Sequence, residues 1–439
     1  MAPGTSRLKV NYDIPEDVLC ENIFSRLPFK LVTCLKTMSK HCRLQITNNT
    51  KFATKQARLC PSCPALIQIG FLVNSDGRYD YYLNVISSTP TIVGVPSSTL
   101  GFLGSCINNK GSISLLASTN GLLCVQYIPD DKRHRVRTIL IANPATQQAQ
   151  PITGAAQHLI QGRVVGLVFD PPNEPTSIEE HKIDQPKEEF SAKENKFKIV
   201  QAIPIKNTSY TTVEFRFVIF SSDTGQWVMS NTIVNANIKE DECDKVVYAS
   251  GVLYWDYQDN LLWFDVSRSS GGIIKMPWIL QGSKSEKWDH HSIDTSINDV
   301  LVCTTITKDG LAIYRLVEGG VRYWELMHKK EWKTIMEVSG DAFQFCHSMK
   351  LRNCWQSKFC ERWLVRPFGE KWDTLDKVLL CDLESGKVED LGRDLSNQFN
   401  LMSIFGYRNS MAALPPIAVP PLLGGICDGN PGGCICAVK

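Results

Sequence analysis

The sequence predicts an α+β chain in unequal parts: a small all-helical N-terminal segment, then a long, mainly antiparallel all-β domain built from repeated hairpins. Three observations carry this reading. Apolar residues fall at helical spacing near the N-terminus. From Leu66 onward they fall instead in short runs broken by Gly, Asn, Asp and Ser. One hairpin pattern then returns at a nearly constant interval. The expected parts are residues 1–60, residues 61–414, and a Pro- and Gly-rich tail at 415–439 that reads as disordered.

The helical segment begins at Pro15, a residue suited to the first turn of a helix because its missing N–H is not needed there. Glu16 and Asp17 follow, and negative charge is favourable at that end of the dipole. At about 100° per residue, Leu19, Ile23 and Leu27 fall on one line, widened by Cys20 and Phe24. Pro28 ends this helix. A second follows with Leu31, Cys34, Leu35 and Met38 on one side, and a third over Lys40 to Ile46. Residues 49–59 read as a further short helix or a linker, and Cys60-Pro61-Ser62-Cys63-Pro64 marks the boundary. A helical unit of about 40 residues cannot bury all this apolar surface, so it needs either a partner or its own downstream domain as cover.

The strand grammar runs through Leu66–Val73, Ser112–Ala117, Gly121–Ile128, Val213–Phe220, Val300–Ile306 and Lys377–Asp382. The repeated hairpin joins an apolar strand to a second strand through a Ser/Thr- and Gly-containing turn. Its copies are Phe217–Val228, Leu262–Ile274, Ala312–Trp324 and Leu379–Val388, with a Gly-free relative at Ile139–Ile152 turning at Asn143-Pro144-Ala145-Thr146. Gly225 and Gly271 are 46 residues apart, and Gly272 and Gly320 are 48 apart. Both intervals fit the ~40–50 residues of a propeller blade. Stacked blades bury hairpins that are too apolar to stand alone. The expected fold is therefore a β-propeller of six to eight blades, with a β-sandwich pair as the alternative.

Composition bounds the function. With 43% hydrophobic and 21% charged residues the chain is an ordinary globular protein, and a net charge of +2 gives no electrostatic reason to expect nucleic acid or an anionic membrane as partner. No apolar run approaches the ~20 residues of a membrane helix. The N-terminus lacks the apolar core of a signal peptide. The sixteen cysteines are accordingly expected as reduced thiols, in the cytosol or nucleus.

The N-terminal segment resembles the F-box. A Leu-Pro-x-Asp opening corresponds to Ile14-Pro15-Glu16-Asp17, an Ile-Leu-x-x-Leu-Pro middle to Ile23-Phe24-Ser25-Arg26-Leu27-Pro28, and a Val-Ser-Lys-x-Trp-Arg close to Met38-Ser39-Lys40-His41-Cys42-Arg43. Cys42 stands where that family carries an aromatic anchor. The resemblance implies docking on a Skp-type adaptor, with Pro15, Leu19, Ile23, Leu27, Pro28, Leu31, Leu35 and Ser39 at or beside the contact. Downstream, Ser118-Thr119-Asn120-Gly121-Leu122, Asn143-Pro144-Ala145-Thr146 and Gly251-Val252-Leu253-Tyr254-Trp255 are similar, in order, to motifs of the plant F-box-associated domain.

Other candidate chemistry has simpler readings. Cys60-x-x-Cys63 is half a zinc site without a second half. Cys346-His347 with Cys354 and Cys360 lacks finger spacing, and Cys436 heads a tetrapeptide ending in Lys439, atypical for prenylation. The basic run Lys132–Arg137 suits a solvated loop. His290 and His291 beside Asp289 and Asp294 could seed a hydrolytic or metal site, but the segment reads as a polar loop. No nucleophile elbow, phosphate-binding loop, zincin or dinucleotide motif occurs. No cofactor or metal is expected.

The expectation is a non-catalytic substrate-recognition subunit of an SCF-type cullin-RING ubiquitin ligase. The alternatives are an adaptor-independent protein- or glycan-binding propeller scaffold and, third, a propeller enzyme. Target specificity is expected in rim loops around Asp76–Tyr79, Asp170–Lys196 and Trp324–Trp332.

Overall fold

Proline decides where the first helical turns begin and end. The computed structural model describes residues 15, 18–49, 52–53, 55–56, 65–73, 79–87, 99–107, 111–130, 137–152, 165–169, 196–206, 212–238, 243, 245–257, 259–277, 290–295, 300–306, 310–318, 322–331, 354–356, 362–365, 379–382, 388–390, 404–407, 414 and 417–418. The Pro15 carbonyl accepts from the Leu19 N–H at 3.1 Å. A wide turn at Leu19–Ile23 then tightens into a 3-10 turn at Phe24–Arg26, and Leu27 is extended. Pro28 caps α1 (Phe29–Leu35). Ser39 caps α2 (Lys40–Asn48), its Oγ accepting from the Cys42 N–H at 3.0 Å. Asn49 Oδ1 accepts from the Phe52 N–H at 3.1 Å and opens the next helical stretch.

Among the described residues the strands run in chain order through six sheets. β1 (Ala65–Val73) and β2 (Tyr79–Ser87) belong to the first sheet, and β3 (Gly111–Thr119), β4 (Leu122–Pro129), β5 (Thr138–Asn143) and β6 (Gln148–Ile152) form the second. The third is β7 (Val165–Phe169), β8 (Phe197–Lys206), β9 (Val213–Ser221) and β10 (Gln226–Ala236). The fourth is β11 (Lys245–Ala249), β12 (Val252–Tyr257), β13 (Asn260–Asp265) and β14 (Ser270–Lys275). The fifth is β15 (His290–Thr295), β16 (Leu301–Ile306), β17 (Gly310–Val317) and β18 (Tyr323–Glu331). The sixth is β19 (Cys354–Gln356), β20 (Arg362–Val365), β21 (Leu379–Asp382) and β22 (Val388–Asp390). β23 (Ile404–Tyr407) returns to pair antiparallel with β1, Ala65 opposite Tyr407, as the third strand of the first sheet.

The edge strand β23 of the first sheet lies against β3, and the first strands of the later sheets follow in series, β3 against β7, β7 against β11, β11 against β15 and β15 against β19. The second, third and fourth sheets each bury both faces. In β4, Leu122 and Cys124 pack toward the third sheet, whereas Leu123 and Val125 pack toward the first. In β12, Leu253 and Trp255 face the third sheet and Val252 and Tyr254 face the fifth. A sandwich sheet buries one face and wets the other, so this two-sided burial is consistent with a β-propeller rather than with the sandwich alternative.

All five copies of the repeated hairpin are third-to-fourth-strand hairpins. In three of them a four-residue loop carries a last residue with left-handed backbone: Gln147 (φ 56°), Gly225 (φ 63°) and Ser269 (φ 48°). Left-handed backbone costs a side-chain-bearing residue about 1–2 kcal/mol, offset in part by glycine's entropy. Ser269→Gly is therefore expected to raise stability by ~0.5–1 kcal/mol, and Gly225→Ala to lower it by a similar ~1 kcal/mol, read as shifts in urea midpoint. Gly271 and Gly272, used above to count the repeat, lie in β14 rather than in the turn. A Cβ on Gly272 would meet the Trp263 ring at 3.0–3.1 Å.

The Asn-Gly-Leu and Gly-Val-Leu-Tyr-Trp motifs also share one role. Asn120 (φ 43°) with Gly121 (φ 88°), and Ser250 (φ 48°) with Gly251 (φ 84°), each close a first-to-second-strand hairpin with two left-handed residues. That is the turn whose twist matches paired strands. Asn120 Nδ2 also donates to the Phe169 carbonyl at 2.7 Å, tying the second sheet to the third.

Candidate functional site

The helical segment has two apolar sides. Phe24, Phe29, Val32, Ile46, Phe52 and Ala53 form its buried cluster, with Leu19, Leu27, Leu35 and Cys42 packed partly against it. Gln56, buried, donates from Nε2 to the Leu27 carbonyl at 3.3 Å and holds the extended residue before Pro28. Outside that cluster Ile23, Leu31 and Met38 are exposed by 42%, 46% and 67%, with Val18 and Leu44 also open. At about 100° per residue, Phe29 and Val32 project to one side of α1 and Leu31 and Cys34 to the opposite side, and Met38 follows in the turn beyond the helix. Their burial agrees: the first pair is buried, and the second set is exposed.

The eight residues assigned by resemblance therefore divide. Pro15, Ile23, Leu31 and Ser39 are exposed, while Leu19, Leu27, Pro28 and Leu35 are half-buried. Leu19, Ile23 and Leu27 do not share one face as the sequence spacing predicts. The change from a wide turn to a 3-10 turn between them breaks the 100° progression, so Ile23 turns outward while Leu19 and Leu27 pack inward. Ser39 serves its own helix as a cap, and Cys42 packs inward. Val18, Met38 and Leu44 were not assigned from the sequence. Met38, grouped with Leu31 in the sequence, is exposed like it but lies in the turn after α1, and Val18 and Leu44 carried no periodic signal.

A second cluster lies where the first strands of the fourth and fifth sheets meet. His291 Nε2 lies 2.9 and 3.0 Å from the two Asp256 oxygens. Lys245 Nζ donates to Asp294 Oδ2 at 2.7 Å and to the Ile293 carbonyl at 2.9 Å. Asp256 and Asp294 are buried. Burial pushes the Asp294 carboxyl up, against the pull of Lys245 and the Thr295 N–H. The segment read as a polar loop is thus strand β15. It forms a strand because its Ile293 is a core residue, with His291 facing the same neighbouring sheet. The His290 side chain lies outside the described residues.

Other candidates resolve simply. The stretch Trp324–Glu331, expected within a rim loop, is most of strand β18. Half-buried Trp324 donates from Nε1 to the Lys275 carbonyl at 3.0 Å and so serves packing between sheets. Cys124 is fully buried, and burial pushes its thiol up to about 12, which suits packing and not reactivity. Cys60, Cys63, Cys346, His347, Cys360, Lys132, Cys436 and the loop around Asp76 lie outside the described residues, while Cys354 stands in β19. Among the described residues no group of three or more His, Cys, Asp or Glu is placed to hold a metal ion, and no helix is long and apolar enough to cross a membrane.

The comparisons with known proteins bear on the β-domain. No curated protein matches the chain. Among solved structures, a prolyl endopeptidase is similar at TM-score 0.32 and 11% identity, covering 65% of this chain and 37% of that one. The extracellular domain of a hybrid two-component system from B. thetaiotaomicron is similar at TM-score 0.31 and 10% identity, covering 80% of this chain and 35% of that one. The GH93 α-L-arabinofuranosidase of Fusarium graminearum is similar at TM-score 0.31 and 7% identity, over 66% of this chain and 82% of that one. The chain thus spans little more than a third of the first two structures. A family model described as F-box protein At3g26010-like, beta-propeller, matches residues 193–350, which hold β8 to β18. That match supports a plant F-box-type propeller protein, and it does not reach the N-terminal helices.

Proposed function

We propose that the protein is a substrate-recognition subunit of an SCF-type cullin-RING ubiquitin ligase, working in the cytosol or nucleus. In this role the helical segment docks on a Skp-type adaptor, and the β-domain binds a target protein. One observation carries the reading: the helices bury the Phe29–Val32 side in their own cluster and leave the Leu31–Met38 side open. An apolar side this open suits a surface that a partner covers. The family match over the β-domain supports it from the other end of the chain.

In this reading the protein makes and breaks no bonds. It holds a target lysine near a ubiquitin-charged enzyme, raising its effective concentration. The scaffold alternative draws on one observation: Ala145 of the β-domain packs in the helical cluster, so the helices do find cover within their own chain. That cover is on the Phe29 side, and the Leu31 side stays open. Co-expression of residues 1–439 with a Skp-type adaptor, followed by size-exclusion chromatography, tests the choice. A stable one-to-one complex is expected; a folded monomer that ignores the adaptor would overturn the ligase reading and leave the scaffold.

A further inference from the structure

Three turns of the β-domain share one geometry, and one of them has a different job. The loops Pro144–Gln147, Ser222–Gly225 and Val266–Ser269 each join a third strand to a fourth and each end on a left-handed residue. Their first residue is buried in all three. Their second residue is not equivalent: Asp223 and Ser267 are exposed, whereas Ala145 is 6% exposed. What covers Ala145 is the helical segment, through the cluster that includes Phe24, Phe29, Val32 and Phe52.

We propose that the β5–β6 turn is the seat that fixes the helical segment on the β-domain in one orientation, with Ala145 as the residue that permits the close approach. The turn is preformed for this. Pro144 restricts its own backbone. Asn143, buried, accepts on Oδ1 from the Ala145 N–H at 2.9 Å and the Thr146 N–H at 3.4 Å. These bonds satisfy the turn from within, so the helices meet an apolar surface without orphaned backbone donors. The far end of the turn is held as well: Gln148 Oε1 accepts from the Leu414 N–H at 3.1 Å. The consequence for activity rests on the adaptor reading. A target on the blades would then be presented at a set distance and angle, rather than swept through a volume by a loose tether.

The three related loops supply the test. Asp stands at the second position of the β9–β10 turn, so that turn geometry accepts a carboxylate there. Ala145→Asp therefore leaves the turn able to close while placing a charge in the apolar cluster. Pro144→Ser, Ala145→Asp and Gln147→Gly combined reproduce the third-sheet loop in full. Amide hydrogen exchange is measured on the full chain without adaptor, with Asp223→Ala as the control at the matching exposed position, where only a solvent-exposed ion pair to Lys196 is lost. Exchange in α1 and α2 is expected to speed by about a hundredfold or more in both seat variants, with the strand cores unchanged and Asp223→Ala like the wild type. Unchanged protection of the helices would overturn the proposal. So would equal loss of protection in the strands, since the turn would then hold its own sheet and not the helices. Because no adaptor is present, failure of the adaptor reading leaves this outcome untouched.

Discussion

With the helices docked as proposed, Leu31→Asp is expected to weaken binding of a Skp-type adaptor by about 2–4 kcal/mol, roughly 30- to 1000-fold, while leaving thermal unfolding almost unmoved. Leu31 is 46% exposed in the free chain, so a carboxylate there remains hydrated until a partner covers it. Surface substitutions of this kind stay within ~0.5 kcal/mol of the parent stability. In the complex the same carboxylate would lie desolvated and unpaired in an apolar contact. Leu27→Asp behaves differently. Leu27 packs against Phe24 and its neighbours, and its carbonyl accepts from buried Gln56. Loss of binding in that variant comes with loss of the helices themselves. Titration calorimetry with purified adaptor, paired with circular-dichroism melting, separates the two. Wild-type affinity in Leu31→Asp would mean that the open side of α1 is not the docking side.

That contrast shows how far local pattern reaches. Pro28 marks a helix boundary by its own backbone chemistry, and the structure uses it in that way. The cap that the Ser39 hydroxyl gives the next helix went unread in the sequence, where Ser39 stood only among the docking residues. Of Leu31, Cys34, Leu35 and Met38, read as one side, Leu31, Cys34 and Met38 are exposed, whereas Leu35 packs partly against the inner cluster. The sidedness of α1 was thus legible in part. The line through Leu19, Ile23 and Leu27 was not, because a pitch change between them carries no signature in residue type. The same limit holds for the strands. The repeated hairpins at Ile139–Ile152, Phe217–Val228, Leu262–Ile274, Ala312–Trp324 and Leu379–Val388 were visible because hairpins are local, with both strands and the turn within a dozen or so residues. Which strand comes first in each sheet, and what it meets, depends on contacts between sheets. Ala65 opposite Tyr407 closes the first sheet across most of the chain, and no window of sequence contains both. Ala145 likewise looks like an ordinary turn residue until the helices are seen above it.

The charged cluster between the fourth and fifth sheets is the clearest case of this kind, and it yields the other large expected effect. Lys245 and Asp294 are 49 positions apart, yet their side chains are 13% and 6% exposed and meet at 2.7 Å. Removing one partner of such a pair costs about 3–5 kcal/mol, because the remaining charge is left buried without compensation. Lys245→Met is expected to lose stability on that scale at neutral pH. The Thr295 N–H still reaches Asp294 Oδ1 at 2.8 Å, so the carboxylate keeps one donor and loses its counter-charge. The sign with pH then follows from Asp294, whose carboxyl burial already pushes above its ordinary value of 3.8. Without Lys245 the folded-state value rises further, and the unfolded-state value does not move. Such a group favours the fold when protonated, an advantage lost as pH rises through the folded-state value. The deficit of Lys245→Met relative to wild type is therefore greatest above that value and shrinks on acidification. Lys245→Met with Asp294→Leu removes both charges and is expected to recover much of the loss at neutral pH, since an apolar pair of similar volume leaves nothing unpaired. Urea unfolding across a pH series checks all three statements. A single variant as stable as wild type at neutral pH would show that the two side chains are not paired in the folded protein. A deficit that stays constant as pH falls would show that the cost arises from lost packing of the lysine stem and not from the stranded carboxylate.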